Sequence, residues 1–148
     1  MSRVARTALW VVVVLLVGFG AIQLVPYGRD HTNPPVTAEY QWTSAEARTV
    51  ARKACYDCHS NETVWPWYAS VAPASWLVAR DVNSGRDHLN FSEWPEGSAI
   101  VTKAIGARIA AVVGEGEMPP LQYRLLHGEA RLSDAQRQVM VREFGDTP

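Results

Sequence analysis

Cys55-Tyr56-Asp57-Cys58-His59 is the most informative stretch of this sequence, and it holds the only two cysteines among 148 residues. Two residues separate the thiols, so in a helix the sulfurs lie about one turn apart. At this spacing the two thiols can add to the two vinyl groups of one porphyrin, and the adjacent histidine can then reach the iron. The motif predicts one covalently attached haem c, with Cys55 and Cys58 as thioether donors and His59 as the proximal iron ligand.

A Cys-x-x-Cys pair has three other interpretations: a thioredoxin-like redox pair, a structural disulfide and half of a zinc site. A zinc site needs a further Cys or His pair at ligand spacing, and the sequence contains none. A thioredoxin-like pair should follow a strand in a βαβ pattern, which this sequence does not predict. Because His59 directly follows the pair, covalent haem is preferred to a plain disulfide.

An apolar run from Ala8 to Val25 follows Arg3 and Arg6 near the N-terminus. As a helix, this run rises about 27 Å, which is enough to cross the hydrocarbon core of a bilayer. We predict that residues 1–25 form a transmembrane anchor, and a cleaved signal peptide is the alternative. The two arginines favour a cytoplasmic N-terminus, so the remainder is expected to be periplasmic or otherwise extracytoplasmic.

The charge of the exported part is mild. Without Arg3 and Arg6, the chain has twelve basic and fifteen acidic residues, which gives a net charge of about −3. This balance predicts neither nucleic-acid binding nor a polybasic patch for lipids. Export also suits the cysteine motif, because thioether attachment of haem takes place outside the cytoplasmic membrane.

Three segments are predicted along the chain. Residues 1–25 form the anchor, residues 26–42 form a linker, and residues 43–148 form a c-type haem-binding domain. The linker contains Gly and Pro residues and lacks helical periodicity, although Tyr40 and Trp42 are expected to pack on the domain.

The predicted domain is all-α, with helices joined by loops rich in Gly and Pro. Thr43-Ser44-Ala45-Glu46 resembles a capping box, and the apolar positions behind it predict a buried helix face formed by Ala47, Val50, Ala51 and Ala54. Three further helices are predicted. The first covers residues 74–83 and ends near Gly85, the second covers residues 98–113, and the last runs to Phe144. Ser133 with Gln136 caps the last helix, which buries Ala135, Val139, Met140 and Phe144. A buried porphyrin would enlarge the core of so small a domain.

Met118 is the best candidate for the sixth iron ligand, because it lies in the loop Gly116-Glu117-Met118-Pro119-Pro120 between two helices. A thioether is a soft, neutral ligand that favours ferrous iron. Met140 lies among apolar neighbours in a helix, so core packing is expected there. His127 and His88 are the alternative ligands, an open sixth site is a further alternative, and His31 is expected to be solvated.

Aromatic residues are dense after the motif. Trp65, Trp67 and Trp76 could cover a porphyrin, and an indole N–H or Arg80 could bind a haem propionate. Ordinary core packing is the alternative for each ring.

The order of these features resembles class I cytochrome c, in which a helix ending in Cys-x-x-Cys-His is followed by a Met-Pro loop and a C-terminal helix. Residues 55–94 more narrowly resemble the bacterial haem-binding-domain family. The matching segments are Cys55-Tyr-Asp-Cys-His-Ser-Asn-Glu-Thr63, Trp65-Pro-Trp-Tyr68, Ala72-Pro73, Ser75-Trp76 and His88-Leu-Asn-Phe-Ser-Glu-Trp94. The resemblance implies a helical haem pocket with Cys55, Cys58 and His59 as the haem-binding residues, and it does not supply a reaction.

The function expected from these features is electron transfer by a membrane-anchored, monohaem cytochrome c in the periplasm, with His59 and Met118 on the iron. Its partners would be the membrane and transient redox proteins or a membrane electron-transfer complex, not nucleic acid. An enzyme is not expected. Two alternatives are an accessory subunit of a respiratory or photosynthetic complex and a sensor or peroxidase-like protein with an open sixth site.

Overall fold

The computed structural model describes residues 2–95 and 97–145, which contain helices and one isolated bridge between Ala38 and Glu93. The predicted all-α class is therefore confirmed. In chain order the helices are α1 (Arg3–Ile22), α2 (Ala45–Ala54), α3 (Tyr56–His59), α4 (Ala74–His88), α5 (Ala99–Gly114), α6 (Leu121–Leu126) and α7 (Asp134–Gly145). Short 3-10 turns lie at Trp67–Ser70 and Gly128–Ala130.

The described residues fall into two compact units. The first comes from segments 1–32 and 65–81, and the second from segments 33–64 and 82–148. The domain boundaries expected from the sequence stay a prediction.

In the first unit, α1 is an apolar helix with none of its residues buried. Its most apolar window has a mean hydropathy of 2.1, so it is long and apolar enough to cross a membrane. Ser2 caps its start by accepting a hydrogen bond from the N–H of Ala5 at 3.2 Å. A signal sequence near an N-terminus has the same properties, so retention of the helix as an anchor stays a prediction.

The end of α1 is joined to the segment 65–81 of the same unit. The side-chain amide of Gln23 donates to the carbonyl of Ala72 at 2.9 Å and accepts from its N–H at 3.0 Å. Gly28 has φ +77°, and a Cβ there would lie 2.9 Å from the Cβ of Ala79. This close approach requires glycine at position 28.

In the second unit, α7 packs against both α2 and α5. The predicted face of α2 is confirmed, because Ala47, Val50, Ala51 and Ala54 are all buried. On α7 the prediction is correct for Val139, Met140 and Phe144. It is wrong for Ala135, which lies exposed in the first turn of the helix.

The helix caps were predicted with partial success. At α7, Gln136 accepts from the N–H of Ser133 at 2.9 Å, and Ser133 Oγ accepts from the N–H of Gln136 at 3.3 Å, as in a capping box. At α2 the cap is Ser44, which accepts from the N–H of Ala47 at 3.2 Å. Thr43 is not the cap, because its N–H and hydroxyl both donate to Glu143.

An aromatic cluster fills the core of the second unit. Its members are Tyr40, Trp42, Tyr56, Phe91, Trp94 and Phe144. The segment that brings in Tyr40 is hydrogen-bonded to the chain near Phe91: the N–H of Tyr40 donates to the Phe91 carbonyl at 2.8 Å, and the N–H of Trp94 donates to Ala38 at 2.7 Å. Tyr40 and Trp42 therefore pack on the folded unit, as expected for the C-terminal end of the predicted linker.

Candidate functional site

The cysteine motif lies where α2 ends and the single turn of α3 begins. Cys55 is the residue between the two helices, and its carbonyl accepts from the N–H of Cys58 at 3.2 Å and from the N–H of His59 at 2.9 Å. Because Cys55 and Cys58 are three positions apart in a helical turn, their side chains leave the same side of it. Both are half-buried, and they are not joined in a disulfide.

The surroundings of Cys55 disfavour a charged sulfur. Burial, and to a lesser extent the neighbouring Cys58, raises the pKa of the Cys55 thiol to about 12. A thioether sulfur carries no charge and therefore suits this environment.

The imidazole of His59 is held by two backbone carbonyls. Its Nδ1 lies 3.0 Å from the carbonyl oxygen of Gly85 and 3.1 Å from that of Leu89. Two acceptors at this distance require Nδ1 to carry the proton, so Nε2 is the nitrogen with a lone pair for iron. Burial lowers the pKa of His59 although the two carbonyls act in the opposite direction, which favours the neutral, metal-binding form.

Gly85 allows α4 to approach the motif closely. The sequence prediction that this helix ends near Gly85 is wrong, because α4 continues to His88. A Cβ at position 85 would collide with the carbonyl oxygen of Cys58 and would lie 3.0 Å from its Cβ. Glycine is therefore needed inside the helix for contact with the motif, and not as its end.

Further bonds fix the chain on the C-terminal side of the motif. The N–H of Phe91 donates to the His59 carbonyl at 2.8 Å. Arg86 donates from Nε to the Ser60 carbonyl at 2.8 Å and from Nη2 to Thr63 Oγ1 at 2.9 Å. These residues were not predicted as part of the site, and their only signal in the sequence is their place in the stretch that resembles the haem-binding-domain family.

Asp57, the residue between Tyr56 and Cys58 in the motif, is bonded to α6. The hydroxyl of Tyr123 donates to Asp57 Oδ2 at 2.7 Å, and the N–H of Val64 donates to Oδ1 at 3.0 Å. Burial, followed by the hydrogen bond and charge of Asp57, raises the pKa of Tyr123, which keeps its phenol protonated. The bond connects the motif to the helix that follows the Met118-Pro119 loop. This pair was not predicted from the sequence.

Met118 lies in the turn after α5. Its N–H donates to the carbonyl of Val112 at 3.1 Å, and its side chain is 39% exposed. Ligation of iron by Met118 stays a prediction. The core position expected for Met140 is confirmed, because its side chain is fully buried.

The alternative histidine ligands have different surroundings. His127 stacks on Tyr123 with ring centroids 4.0 Å apart, and its Nδ1 lies 3.1 Å from the Tyr123 carbonyl. His88 is exposed on α4, with Nδ1 2.7 Å from the Ser84 carbonyl. In the first unit, His31 is not simply solvated, because it stacks on Trp65 at 4.7 Å.

The other predicted site residues belong to the first unit. Trp67 is 80% exposed and Arg80 is exposed, whereas Trp65 and Trp76 are partly buried. None of the described residues offers an acceptor to the buried indole N–H of Trp76. Contacts of these four residues with haem stay predictions.

Comparison with known proteins places this site in a family. Residues 17–145 match the model of a haem-binding domain. No curated protein and no solved structure gives a match. The matched range includes the Cys-x-x-Cys-His motif, the carbonyls of Gly85 and Leu89 beside His59, and the Met118 loop. The chain is therefore a haem protein that belongs to the haem-binding-domain family.

Proposed function

We propose that this protein is a membrane-anchored, monohaem c-type cytochrome that transfers electrons outside the cytoplasm and is not an enzyme. The observation that carries the proposal is the position of His59 Nδ1 between the carbonyls of Gly85 and Leu89. Two half-buried thiols in one turn can form the thioether bonds to haem, and the adjacent histidine, held in one tautomer, presents Nε2 to the iron.

Each residue of the motif has a distinct role in this proposal. Cys55 and Cys58 hold the group through thioether bonds, and His59 binds the iron through Nε2. When bound, the haem supplies a one-electron ferric–ferrous couple. Gly85 lets α4 lie against the motif, and this contact limits movement of the imidazole. The reorganisation energy of electron transfer is therefore kept small.

Met118 is the proposed sixth ligand. Gly116, with φ +76°, and the bond from the Met118 N–H to Val112 fix the turn that carries it. A thioether ligand stabilises ferrous iron and raises the reduction potential. His127 is the alternative, because it stacks on the tyrosine that is bonded to Asp57 of the motif.

The helix α1 is the proposed anchor, with the N-terminus in the cytoplasm and the haem on the periplasmic side. Arg3 and Arg6 before the apolar run support this orientation. The exported part carries a small net charge, which fits weak, transient docking to redox partners or to a membrane electron-transfer complex.

The exposure of Met118 favours one second candidate function. Met118 is 39% exposed, so its thioether is not enclosed by the described residues. A labile sixth position would admit a gas or a peroxide, and the protein would then act as a sensor or as a peroxidase-like enzyme.

Visible absorption of the purified full-length protein, oxidised and then reduced, with and without carbon monoxide, tests the proposal. A low-spin c-type spectrum that does not change with carbon monoxide is expected, together with a protein mass increased by one haem. A spectrum that shifts with the gas would favour the second candidate. His59→Ala should abolish the low-spin spectrum, and an unchanged spectrum in this variant would refute the assignment of His59.

A further inference from the structure

The first unit contains an uncharged aromatic segment. Residues 65–79 include three tryptophans and one tyrosine, but no Asp, Glu, Lys, Arg or His. Charged residues make up 20% of the chain, so an uncharged run of this length outside α1 is unusual for a surface in water. Its composition is typical of polypeptide at the boundary between lipid and water.

This segment contacts the end of α1. The amide of Gln23, the residue directly after α1, forms two hydrogen bonds with the backbone of Ala72, at 2.9 and 3.0 Å. Arg29 also donates to Gln23 Oε1 at 3.0 Å. If α1 crosses the bilayer, Gln23 lies where the chain leaves the hydrocarbon, and Ala72 lies at the same depth because it is bonded to it.

Large apolar side chains around this junction are exposed. Trp67 is 80% exposed, Leu24 is 85% exposed and Tyr27 is 52% exposed. Trp67 begins the 3-10 turn Trp67–Ser70, called here the aromatic turn, which ends two residues before Ala72. An indole that is largely exposed and close to the end of a membrane helix gains free energy by entering the lipid headgroup region.

We propose that the aromatic turn rests in the headgroup region of the outer leaflet, with Trp67 inserted as an anchor. This inference rests on the proposed anchoring by α1. The occupant is a lipid surface and not a second protein, because the turn leads within two residues to Ala72, which is hydrogen-bonded to Gln23 at the end of a helix whose surface is itself exposed and apolar. The first unit is then fixed against the bilayer by α1, by the Gln23–Ala72 bonds and by Trp67.

Photo-crosslinking in phosphatidylcholine vesicles tests this inference on the full-length haem protein. The photoreactive residue p-benzoylphenylalanine replaces Trp67, Leu15 in the middle of α1, or Lys53 on α2, one position in each variant. All three positions are exposed, so the replacement leaves the core intact. Mass spectrometry then counts the lipid adducts and the protein adducts at each position.

Lipid adducts are expected at positions 15 and 67 and not at position 53. Lipid adducts at 15 without any at 67 would overturn the inference and leave the anchor in place. Crosslinks from 67 to protein instead of lipid would also overturn it, because a partner or a second copy would then cover the turn. No lipid adduct at 15 would refute the proposed anchor, and the inference with it.

A second variant tests the part played by the Gln23 bonds. Gln23→Ala should lower the lipid adducts at position 67 and leave those at position 15 unchanged, because the two bonds to Ala72 are lost, whereas the other bonds of the Gln23 amide join it to Phe19 and Arg29 and not to the aromatic turn. Gln41→Ala is the matched control, since Gln41 is exposed and its side-chain amide donates to the nearby Glu39 carbonyl. Equal lipid adducts at 67 in both variants would show that the bonds do not hold the turn at the membrane.

Discussion

The carboxylate of Glu143 in α7 accepts hydrogen bonds from both the N–H and the hydroxyl of Thr43, at 2.9 and 2.7 Å. It also accepts from the N–H of Ser44 at 3.1 Å and from the hydroxyl of Tyr40 at 3.3 Å. Glu143 is buried, and its charge lies at the N-terminus of α2, where the helix dipole favours an anion. The bonds join the last helix to the one that leads into the cysteine motif.

Glu143→Ala should therefore destabilise the protein. The change leaves the N–H groups of Thr43 and Ser44 without their acceptor, and we expect a loss of about 3 kcal/mol in the free energy of unfolding. Chemical denaturation measures it. The matched control is Glu117→Ala at an exposed position, which should change stability by less than about 0.5 kcal/mol. Equal losses in the two variants would contradict this role of Glu143.

Gly85→Ala should impair haem binding. In the middle of a solvent-exposed helix, a Gly→Ala change usually stabilises the folded protein by about 0.5–1 kcal/mol. Here the new Cβ collides with the backbone of Cys58, and we expect a loss of roughly 1–3 kcal/mol with less haem per protein. Denaturation and the haem content of the purified protein give the two readouts.

Gly114→Ala is the control for that experiment. Its Cβ would lie 3.5 Å from Val141 Cγ2, an ordinary contact, so haem content should not change. If Gly85→Ala behaved like Gly114→Ala, the close approach of α4 to the motif would be refuted.

Tyr123→Phe removes the hydrogen bond to Asp57. We expect a cost of about 1–2 kcal/mol near neutral pH. Because the folded state raises the pKa of Tyr123 above its ordinary value of 10.0, the unfolded chain loses this proton first as pH rises. The contribution of Tyr123 to stability is therefore present below about pH 10 and declines above it.

Denaturation at about pH 7 and about pH 11 checks this sign. The difference in stability between the parent protein and Tyr123→Phe should shrink at the higher pH. Tyr27→Phe, at a half-exposed position, is the control for loss of a phenol. Its difference in stability from the parent protein should be the same at both pH values. A difference that grows with pH would contradict the prediction.

Met118→Ala should lower the reduction potential and open the iron to carbon monoxide. Axial ligands shift the reduction potential of haem over a range of about 0.8 V, and loss of a thioether ligand lowers the potential. Met140→Leu is the matched control, because Met140 fills the core and this change should leave the potential unaltered. An unchanged potential in Met118→Ala would exclude Met118, and His127→Ala would then test the alternative ligand.

Features that depend on short spacing could be predicted from the sequence alone. The Cys-x-x-Cys-His motif, the apolar α1 and the buried faces of α2 and most of α7 follow from side chains that are neighbours within one or two helical turns. Periodicity reports which side of a helix is apolar, and motif spacing reports which groups one helical turn can present. Neither depends on the path of the rest of the chain.

Only the tertiary structure decided which distant groups complete the site. The carbonyls of Gly85 and Leu89 lie 26 and 30 positions from His59, and Tyr123 lies 66 positions from Asp57. Any carbonyl or hydroxyl could fill such a role, so no residue type marks it in the sequence. The tryptophans after the motif also differ in a way that composition does not predict. Trp94 is partly buried and packs against the core of the second unit, whereas Trp67 lies on the surface of the first. Which ring is buried depends on the long-range contacts that close each unit, and not on the order of aromatic residues along the chain.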